Sequence, residues 1–198
     1  MAGRSAPEVD PGEALVERVR AGDPAAFTDL FRSYRGLVWR VLRHLLYDDP
    51  ELEDVVQLTF VEVHRSLPSF EGRSRLSSWI TRVALHVGYH HLRRKKSRPA
   101  DYRASPNLPE QTDDGLGADP ERALVARRAQ ARLGAVLARL PEKKRTVFIL
   151  VELEGLSREQ VAEIVGTNPA TVRTRLHYAR RDFWKAVAED EGLRDLIP

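Results

Sequence analysis

The chain has 198 residues, and 32 basic against 29 acidic side chains give a formal net charge of only +3 at pH 7. Any surface for a charged partner must therefore come from local segregation of charge. The absence of cysteine excludes disulfides and thiolate chemistry. No apolar run approaches the ~20 residues that a spanning helix needs, so we expect a cytoplasmic protein that does not insert into membranes.

Helical periodicity dominates the first half of the sequence. A short helix is predicted over 10–21, and a long one opens at Asp23-Pro24 with apolar residues three and four apart. Asp49-Pro50 opens a third helix. A fourth carries an apolar stripe over 76–87 and runs into the basic cluster at 93–96.

The periodicity stops where prolines, glycines and acidic residues predict a flexible linker. Helix restarts at Asp119-Pro120, and a further helix begins at Pro141 and closes at Gly155. We predict an all-α fold with two small helical domains joined by that linker. The predicted boundaries are 10–96 for the first domain, 97–118 for the linker, 119–188 for the second domain and 189–198 for a C-terminal tail.

The segment 156–183 contains the strongest local signals. Ser157 and Gln160 are spaced as a capping box, Gly166 suits the left-handed residue that ends a helix, and Asn168-Pro169 supplies the next start. The second helix is apolar on one side and polar or cationic on the other. Its outer and flanking positions are Ala170, Arg173, Thr174, Arg175, His177, Tyr178, Arg180 and Arg181. This pattern predicts a DNA-binding helix-turn-helix, and an ordinary helical hairpin with a solvated basic face is the alternative.

Two clusters raise the question of a metal. The acidic run over 48–54 is explained by a solvated helix start, where carboxylates complement the helix dipole. His86 and His90 lie four residues apart, a spacing that zinc ligands use, but no cysteine or HExxH pattern accompanies them. No nucleophile–base pair and no phosphate-cradling glycine loop is visible. We therefore predict no metal, no cofactor, no small-molecule substrate and no catalytic residue.

Four stretches, in order, resemble a bacterial RNA polymerase sigma factor of the extracytoplasmic-function group of the sigma-70 family. They are AFTDLFRSYRGLVWRV at 26–41, LEDVVQLTFVEVHRSLPSFEG at 52–72, SSWITRVALHVGYHHLRR at 77–94 and LPEKKRTVFILVELEGLSREQVAEIVGTNPATVRTRLHYAR at 140–180. The resemblance implies that the first domain binds core RNA polymerase and opens the −10 promoter element. The second would dock on the −35 element, and an anti-sigma factor would hold the protein inactive.

The resemblance also implies a polymerase-binding face on the third helix. Its residues are Asp54, Gln57, Leu58, Phe60 and Val61. An exposed apolar patch edged by a carboxylate and an amide suits a protein interface, and a well-buried helix with acids near its start is the alternative. The family usually has an acidic residue where this chain has Leu58.

Promoter contacts are implied in both domains. For the −10 element and its melted strand they are Phe70, Arg82, His86, Tyr89, His90, Arg93 and Arg94. For the −35 element they are Arg173, Thr174, Arg175, His177, Tyr178, Arg180 and Arg181. The family commonly has asparagine or aspartate near His86 and His90, and arginine or lysine at Tyr178. Base preference should therefore differ from the usual pattern at these positions.

Two other kinds of function stay open at this point. A stand-alone helix-turn-helix regulator would use its N-terminal domain to sense a ligand or to dimerise. A nuclease or recombinase would need a carboxylate or nucleophile constellation, and the sequence does not offer one. Promoter-dependent transcription with core polymerase separates a sigma factor from the first of these.

Overall fold

The computed structural model describes residues 11–47, 49–97 and 131–194. Every regular element in these ranges is helical, which confirms the all-α prediction. Residues 98–118 of the predicted linker, residues 119–130 of the predicted second domain and the last four residues of the predicted tail lie outside the described ranges.

The helices follow the order predicted from periodicity. They are α1 (Pro11–Arg20), α2 (Ala26–Leu46), α3 (Leu52–Ser66), α4 (Leu76–Ser97), α5 (131–139), α6 (Glu142–Phe148), α7 (Arg158–Val165), α8 (Pro169–Ala188) and α9 (Glu191–Arg194). A 3-10 turn, Leu67–Ser69, follows α3, and a π-helical turn, Ile149–Leu153, extends α6. Across the described ranges, no helix has the length and apolar character to cross a membrane.

The N-terminal group, α1 to α4, packs around apolar stripes of α2, α3 and α4, and this core continues into buried residues of α6, the π-helical turn, α7 and α8. Asp49 joins the α2–α3 corner to α4, because its nearly buried carboxylate lies 3.0 Å from both His91 Nε2 and Lys95 Nζ. The same carboxylate accepts the Glu51 amide at 3.0 Å. Burial alone raises the pKa of Asp49, but these hydrogen bonds together hold that pKa below its ordinary value.

The C-terminal group has its own core between α5, α6, α8 and α9. The Phe148 and Phe183 rings stack in it, with centroids 4.6 Å apart. Part of the predicted tail belongs to this core, which corrects the sequence-based description of 189–198. The Asp190 carboxylate accepts the Gly192 and Leu193 amides, and the α9 turn that follows buries Leu193.

Candidate functional site

The outer surface of α3 exposes two large apolar side chains. Residues 55, 56, 59, 60 and 63 face the core, and helical geometry then directs the residues between them outward. Leu58 is 52% exposed and Val61 is 64% exposed, with Asp54 and Gln57 also exposed beside them. These four residues form the α3 patch. An exposed apolar pair with a polar edge is typical of a protein-binding surface.

Phe60 does not belong to the α3 patch, which corrects the prediction from the resemblance. Its side chain is only 3% exposed, and its ring packs edge-on against Phe31 at 4.7 Å. Phe60 lies on the inner stripe of α3, so it supports the patch from below and offers no surface of its own.

The turn between α7 and α8 forms through the predicted local signals. Ser157 Oγ accepts the Gln160 amide at 3.2 Å, and Gln160 Oε1 accepts the Ser157 amide at 2.8 Å, which completes the capping box. Gly166 ends α7 in the left-handed region, with φ of +65°. Asn168 Oδ1 then accepts the Thr171 amide at 2.8 Å and starts α8. The helix-turn-helix geometry is thereby confirmed.

The apolar side of α8 is buried, and this fixes which residues face outward. The buried residues are Val172, Leu176, Ala179, Phe183, Ala186 and Val187. Arg173, Thr174, His177 and Tyr178 are exposed on the opposite side and form the α8 face. The Thr174 hydroxyl donates to the Ala170 carbonyl at 3.1 Å, which orients this side chain along the helix.

Two of the arginines that the resemblance implies at the −35 element are paired with carboxylates in this structure. Arg180 donates to Glu152 Oε1 at 2.7 and 3.0 Å, and Arg181 donates to Asp182. A hydrogen bond from the Lys144 ammonium lowers the pKa of the Asp182 carboxyl. Surface ion pairs of this kind contribute little to the free energy of folding. A DNA phosphate can therefore replace Glu152 as the partner of Arg180 with little loss of stability.

Tyr178 has cations beside its ring. The Arg181 guanidinium carbon lies 4.9 Å from the ring centroid, and Lys144 Nζ lies 5.6 Å from it. Cations at these distances are attracted to an aromatic face. The contacts hold Tyr178 in a defined position on the α8 face, and Lys144 extends the basic surface from α8 to α6.

On α4, the predicted promoter residues other than Tyr89 are exposed: Arg82, His86, His90, Arg93 and Arg94. Arg82 and Arg93 also contact the C-terminal group, and Arg93 Nη1 lies 3.5 Å from Glu142 Oε2. The Arg82 guanidinium donates from Nε to the Ile164 carbonyl at 2.9 Å and from Nη2 to the Glu163 carbonyl at 2.6 Å. Arg82 therefore binds the C-terminal end of α7, where the last carbonyls of a helix lack intrahelical donors.

Two aromatic residues predicted to lie at the DNA surface are buried. Phe70 is 5% exposed because the 3-10 turn after α3 folds it inward onto Trp79, with ring centroids 5.2 Å apart. Its carbonyl also accepts from Arg20. Tyr89 is 6% exposed, its hydroxyl lies 2.7 Å from Thr146 Oγ1, and burial raises the pKa of that hydroxyl. The burial of Phe70 against Trp79 does not support the contact with the melted strand that the resemblance implies.

Sequence reasoning missed the residues of the C-terminal group that contact α2 and α4. They are Glu142, Thr146, Glu154, Glu163 and Ile164. Their hydrogen-bond partners lie between 49 and 114 residues away along the chain. Periodicity and capping report only on near neighbours, so the sequence contained no signal for these contacts.

No three His, Asp or Glu side chains in the described part of the chain are grouped so that they could hold a metal ion. His86 and His90 both lie on the exposed side of α4. We assign them to the polar surface of that helix.

Two family models match separate parts of the chain. Residues 30–98 match the model of Sigma-70 region 2, and residues 130–183 match that of Sigma-70 region 4. The chain is 33% identical to the RNA polymerase sigma-H factor of Pseudomonas aeruginosa over 88% of this chain and 93% of that protein. It is 34% identical to the ECF RNA polymerase sigma-E factor of Haemophilus influenzae, over 85% and 90% of the two chains.

A solved structure shares the fold. The sigma factor RpoE from Bartonella quintana, crystallised with the anti-sigma factor NepR, superposes with a TM-score of 0.59 at 20% identity. The alignment covers 84% of this chain and 99% of that one. Family matches, full-length relatives and helical architecture all agree. The chain belongs to the extracytoplasmic-function group of the sigma-70 family of RNA polymerase sigma factors.

Proposed function

We propose that this sigma factor binds core RNA polymerase through the α3 patch, reads the −35 element with the α8 face and contacts the −10 element with α4. The main support for this proposal is the exposure of the α8 face. Four side chains that can contact bases are exposed on α8. The capping box that starts α7 and the left-handed glycine that ends it fix the turn before α8.

The α8 face offers a mixed set of base contacts. Arg173 can donate two hydrogen bonds to a guanine edge, and Thr174 and His177 can bond to several bases. Tyr178 presents an aromatic ring with neighbouring cations in place of a free guanidinium. We infer that Arg173 selects guanine at the −35 base pair that it contacts. The base pair that faces Tyr178 should show a weaker preference for guanine.

The α3 patch supplies the polymerase contact. Leu58 and Val61 would lose water on binding, which is favourable, and Asp54 and Gln57 would give the contact its direction. The carboxylate usual at the Leu58 position is replaced by a further apolar side chain. Binding of this chain to core polymerase should therefore depend more on burial of apolar surface and less on ion pairing.

On α4, the exposed His86, His90, Arg93 and Arg94 would track the backbone of the melted strand, since cations and aromatic rings offset the cost of unstacking bases. Arg82 and Tyr89 would join them after release from the C-terminal group. Phe70 is left out of this surface because it is buried. The predicted linker over 97–118 would join the two DNA-binding modules in one chain.

Each module is small, and the chain has little net charge, so neither should bind promoter DNA tightly alone. Held together by polymerase, they gain affinity through effective concentration. We infer that the protein acts in the cytoplasm without catalysis of its own, and that an anti-sigma factor is a further partner. The relative solved with NepR supports that last inference.

The test is a substitution on the α8 face, measured in the reconstituted holoenzyme. Arg173→Ala should weaken promoter binding by about 1–3 kcal/mol and abolish discrimination at one −35 base pair. Lys185→Ala is the matched control, since Lys185 is exposed on the same helix about 18 Å away. Equal weakening on every −35 variant would make Arg173 a phosphate contact, and unchanged binding would remove α8 from the interface.

A further inference from the structure

Tyr178 lies in a network of charged side chains that joins α6 to α8. Lys144 of α6 and Arg181 of α8 are both over its ring, with Lys144 Nζ 5.6 Å and the Arg181 guanidinium carbon 4.9 Å from the ring centroid. Asp182, which follows Tyr178 by about one helical turn, binds both cations. We call Lys144, Tyr178, Arg181 and Asp182 the tyrosine cluster.

Asp182 holds each cation of the cluster with a different carboxylate oxygen. Its Oδ2 accepts from Lys144 Nζ at 2.5 Å, and its Oδ1 accepts from Arg181 Nη2 at 3.1 Å and from Arg181 Nε at 3.3 Å. Without this carboxylate, two positive charges beside one ring would repel each other. Asp182 therefore keeps both cations in place beside Tyr178.

The cluster is supported by the packed core of the C-terminal group. Phe183 directly follows Asp182, and its buried ring stacks on Phe148 of α6 with centroids 4.6 Å apart. This contact keeps Lys144 within reach of Asp182, and both of these side chains are less than one third exposed. A side chain that is already ordered before binding loses less entropy when DNA arrives.

Tyr178 itself remains accessible from outside, because its side chain is 41% exposed on the α8 face. The Lys144 and Arg181 cations beside it are bonded to Asp182. They are therefore not free to donate to a guanine edge as an unpaired arginine does. The cluster offers DNA an apolar ring in a fixed position, with one hydroxyl as its polar group.

The bases differ in what they present to such a ring in the major groove. Guanine presents two hydrogen-bond acceptors, cytosine presents an amino donor, and thymine presents a 5-methyl group. Contact between the ring and that methyl group removes apolar surface from water on both sides, which is favourable. Contact with a guanine or cytosine edge would cover polar groups that one hydroxyl cannot fully satisfy. The chemistry of the cluster therefore favours thymine.

We propose that Tyr178 selects thymine at one −35 base pair by packing its ring against the 5-methyl group. Asp182 is the positioning residue for this contact, and it acts through Lys144 and Arg181. Both roles rest on the proposed reading of the −35 element by the α8 face. A preference for thymine thereby takes the place of the guanine preference that an arginine or lysine at this position would give.

The experiment removes the methyl group alone. The reconstituted holoenzyme first selects its −35 element from random DNA sequences. Each thymine of the selected element, on either strand, is then replaced singly by deoxyuridine, which lacks the methyl group and keeps every hydrogen-bonding group. At one thymine this replacement should raise the Kd about fourfold, the effect of one buried methyl group. When the same base pair is changed to C·G, 5-methylcytosine should bind more tightly than cytosine.

Substitutions in the cluster show which groups produce the thymine-to-uracil ratio, and urea unfolding verifies that each variant folds. Tyr178→Ala should reduce the ratio to one, and Tyr178→Phe should keep it, because the ring makes the contact. Asp182→Asn should strengthen binding to every sequence, since it removes a negative charge near DNA, and should still lower the ratio towards one. Glu189→Gln is the matched control. It makes the same change of charge at an exposed carboxylate about 16 Å from Tyr178 along the helix, and it should keep the ratio.

The thymine contact is overturned if no thymine of the element depends on its methyl group, or if the dependence persists in Tyr178→Ala. Loss of the ratio in Tyr178→Phe would assign the contact to the hydroxyl and overturn the role of the ring. A folded Asp182→Asn variant that keeps the ratio would show that Asp182 does not position the ring. Arg173→Ala distinguishes a failure of the proposed function, because unchanged binding in that variant removes α8 from the interface altogether. If Arg173→Ala relaxes discrimination and no thymine depends on its methyl group, only the role of Tyr178 fails.

Discussion

Removal of the α3 patch should weaken polymerase binding while the fold stays intact. Complete burial of a leucine or valine side chain is worth about 1.5–3 kcal/mol. Since Leu58 is 52% and Val61 64% exposed, each has about 1 kcal/mol left to gain on burial at an interface. Leu58→Ala combined with Val61→Ala should therefore raise the Kd for core polymerase about 30-fold, which corresponds to about 2 kcal/mol.

The assay is a fluorescence titration of labelled protein with core polymerase at fixed salt, paired with urea unfolding of each variant. The double variant should unfold within about 0.5 kcal/mol of wild type, because both side chains are at the surface. Val56→Ala, at a fully buried position of the same helix, should show the reverse. It should lose about 2 kcal/mol of stability and keep its polymerase affinity under folding conditions. A double variant that binds polymerase within twofold of wild type would refute the assignment of this surface.

Three further predictions concern stability and are measured by urea unfolding. Asp49→Asn should cost about 1.5–3 kcal/mol at pH 7. Folding lowers the pKa of Asp49, so its ionised carboxylate stabilises the fold fully above the unfolded-state pKa of about 4. This stabilisation is lost as the pH falls through the lower folded-state pKa. A stability difference between Asp49→Asn and wild type that does not change with pH would contradict this reasoning. Ser157→Ala should cost about 0.5–2 kcal/mol through loss of the capping box, and no change would show that the cap is dispensable. Gly166→Ala should destabilise by about 1–2 kcal/mol, because its φ is +65°. In contrast, Gly36→Ala in the exposed middle of α2 should stabilise by about 0.5–1 kcal/mol, and equal effects of the two would contradict the backbone argument.

The helix-turn-helix could be predicted from sequence because its determinants are local. Ser157 and Gln160 are three residues apart, and the cap at Asn168 acts on an amide three residues later. Each signal involves hydrogen bonds within a single turn, so neighbouring residues suffice to specify it. The division of α8 into a buried and an exposed side follows in the same way from its period.

The errors arose where tertiary packing decides the outcome. Phe70 follows a short 3-10 turn and has no periodic neighbours, so its burial against Trp79 could not be inferred from spacing. Helical spacing aligns Phe60 with the buried Val56 and Val63, whereas the family resemblance implied an exposed position. Burial on the core side of α3 decides the outcome. The contacts between the two helical groups join residues up to 114 positions apart, and only the folded chain brings them together.

As a sigma factor, this chain should give core RNA polymerase its promoter specificity. Run-off transcription with purified core polymerase tests this function directly, on a template that carries both promoter elements and on templates that lack one of them. We expect transcripts only when the chain and both elements are present, and weak binding of the isolated chain to the same DNA. Tight autonomous binding without promoter-dependent initiation would contradict a sigma-factor function and identify a stand-alone helix-turn-helix regulator.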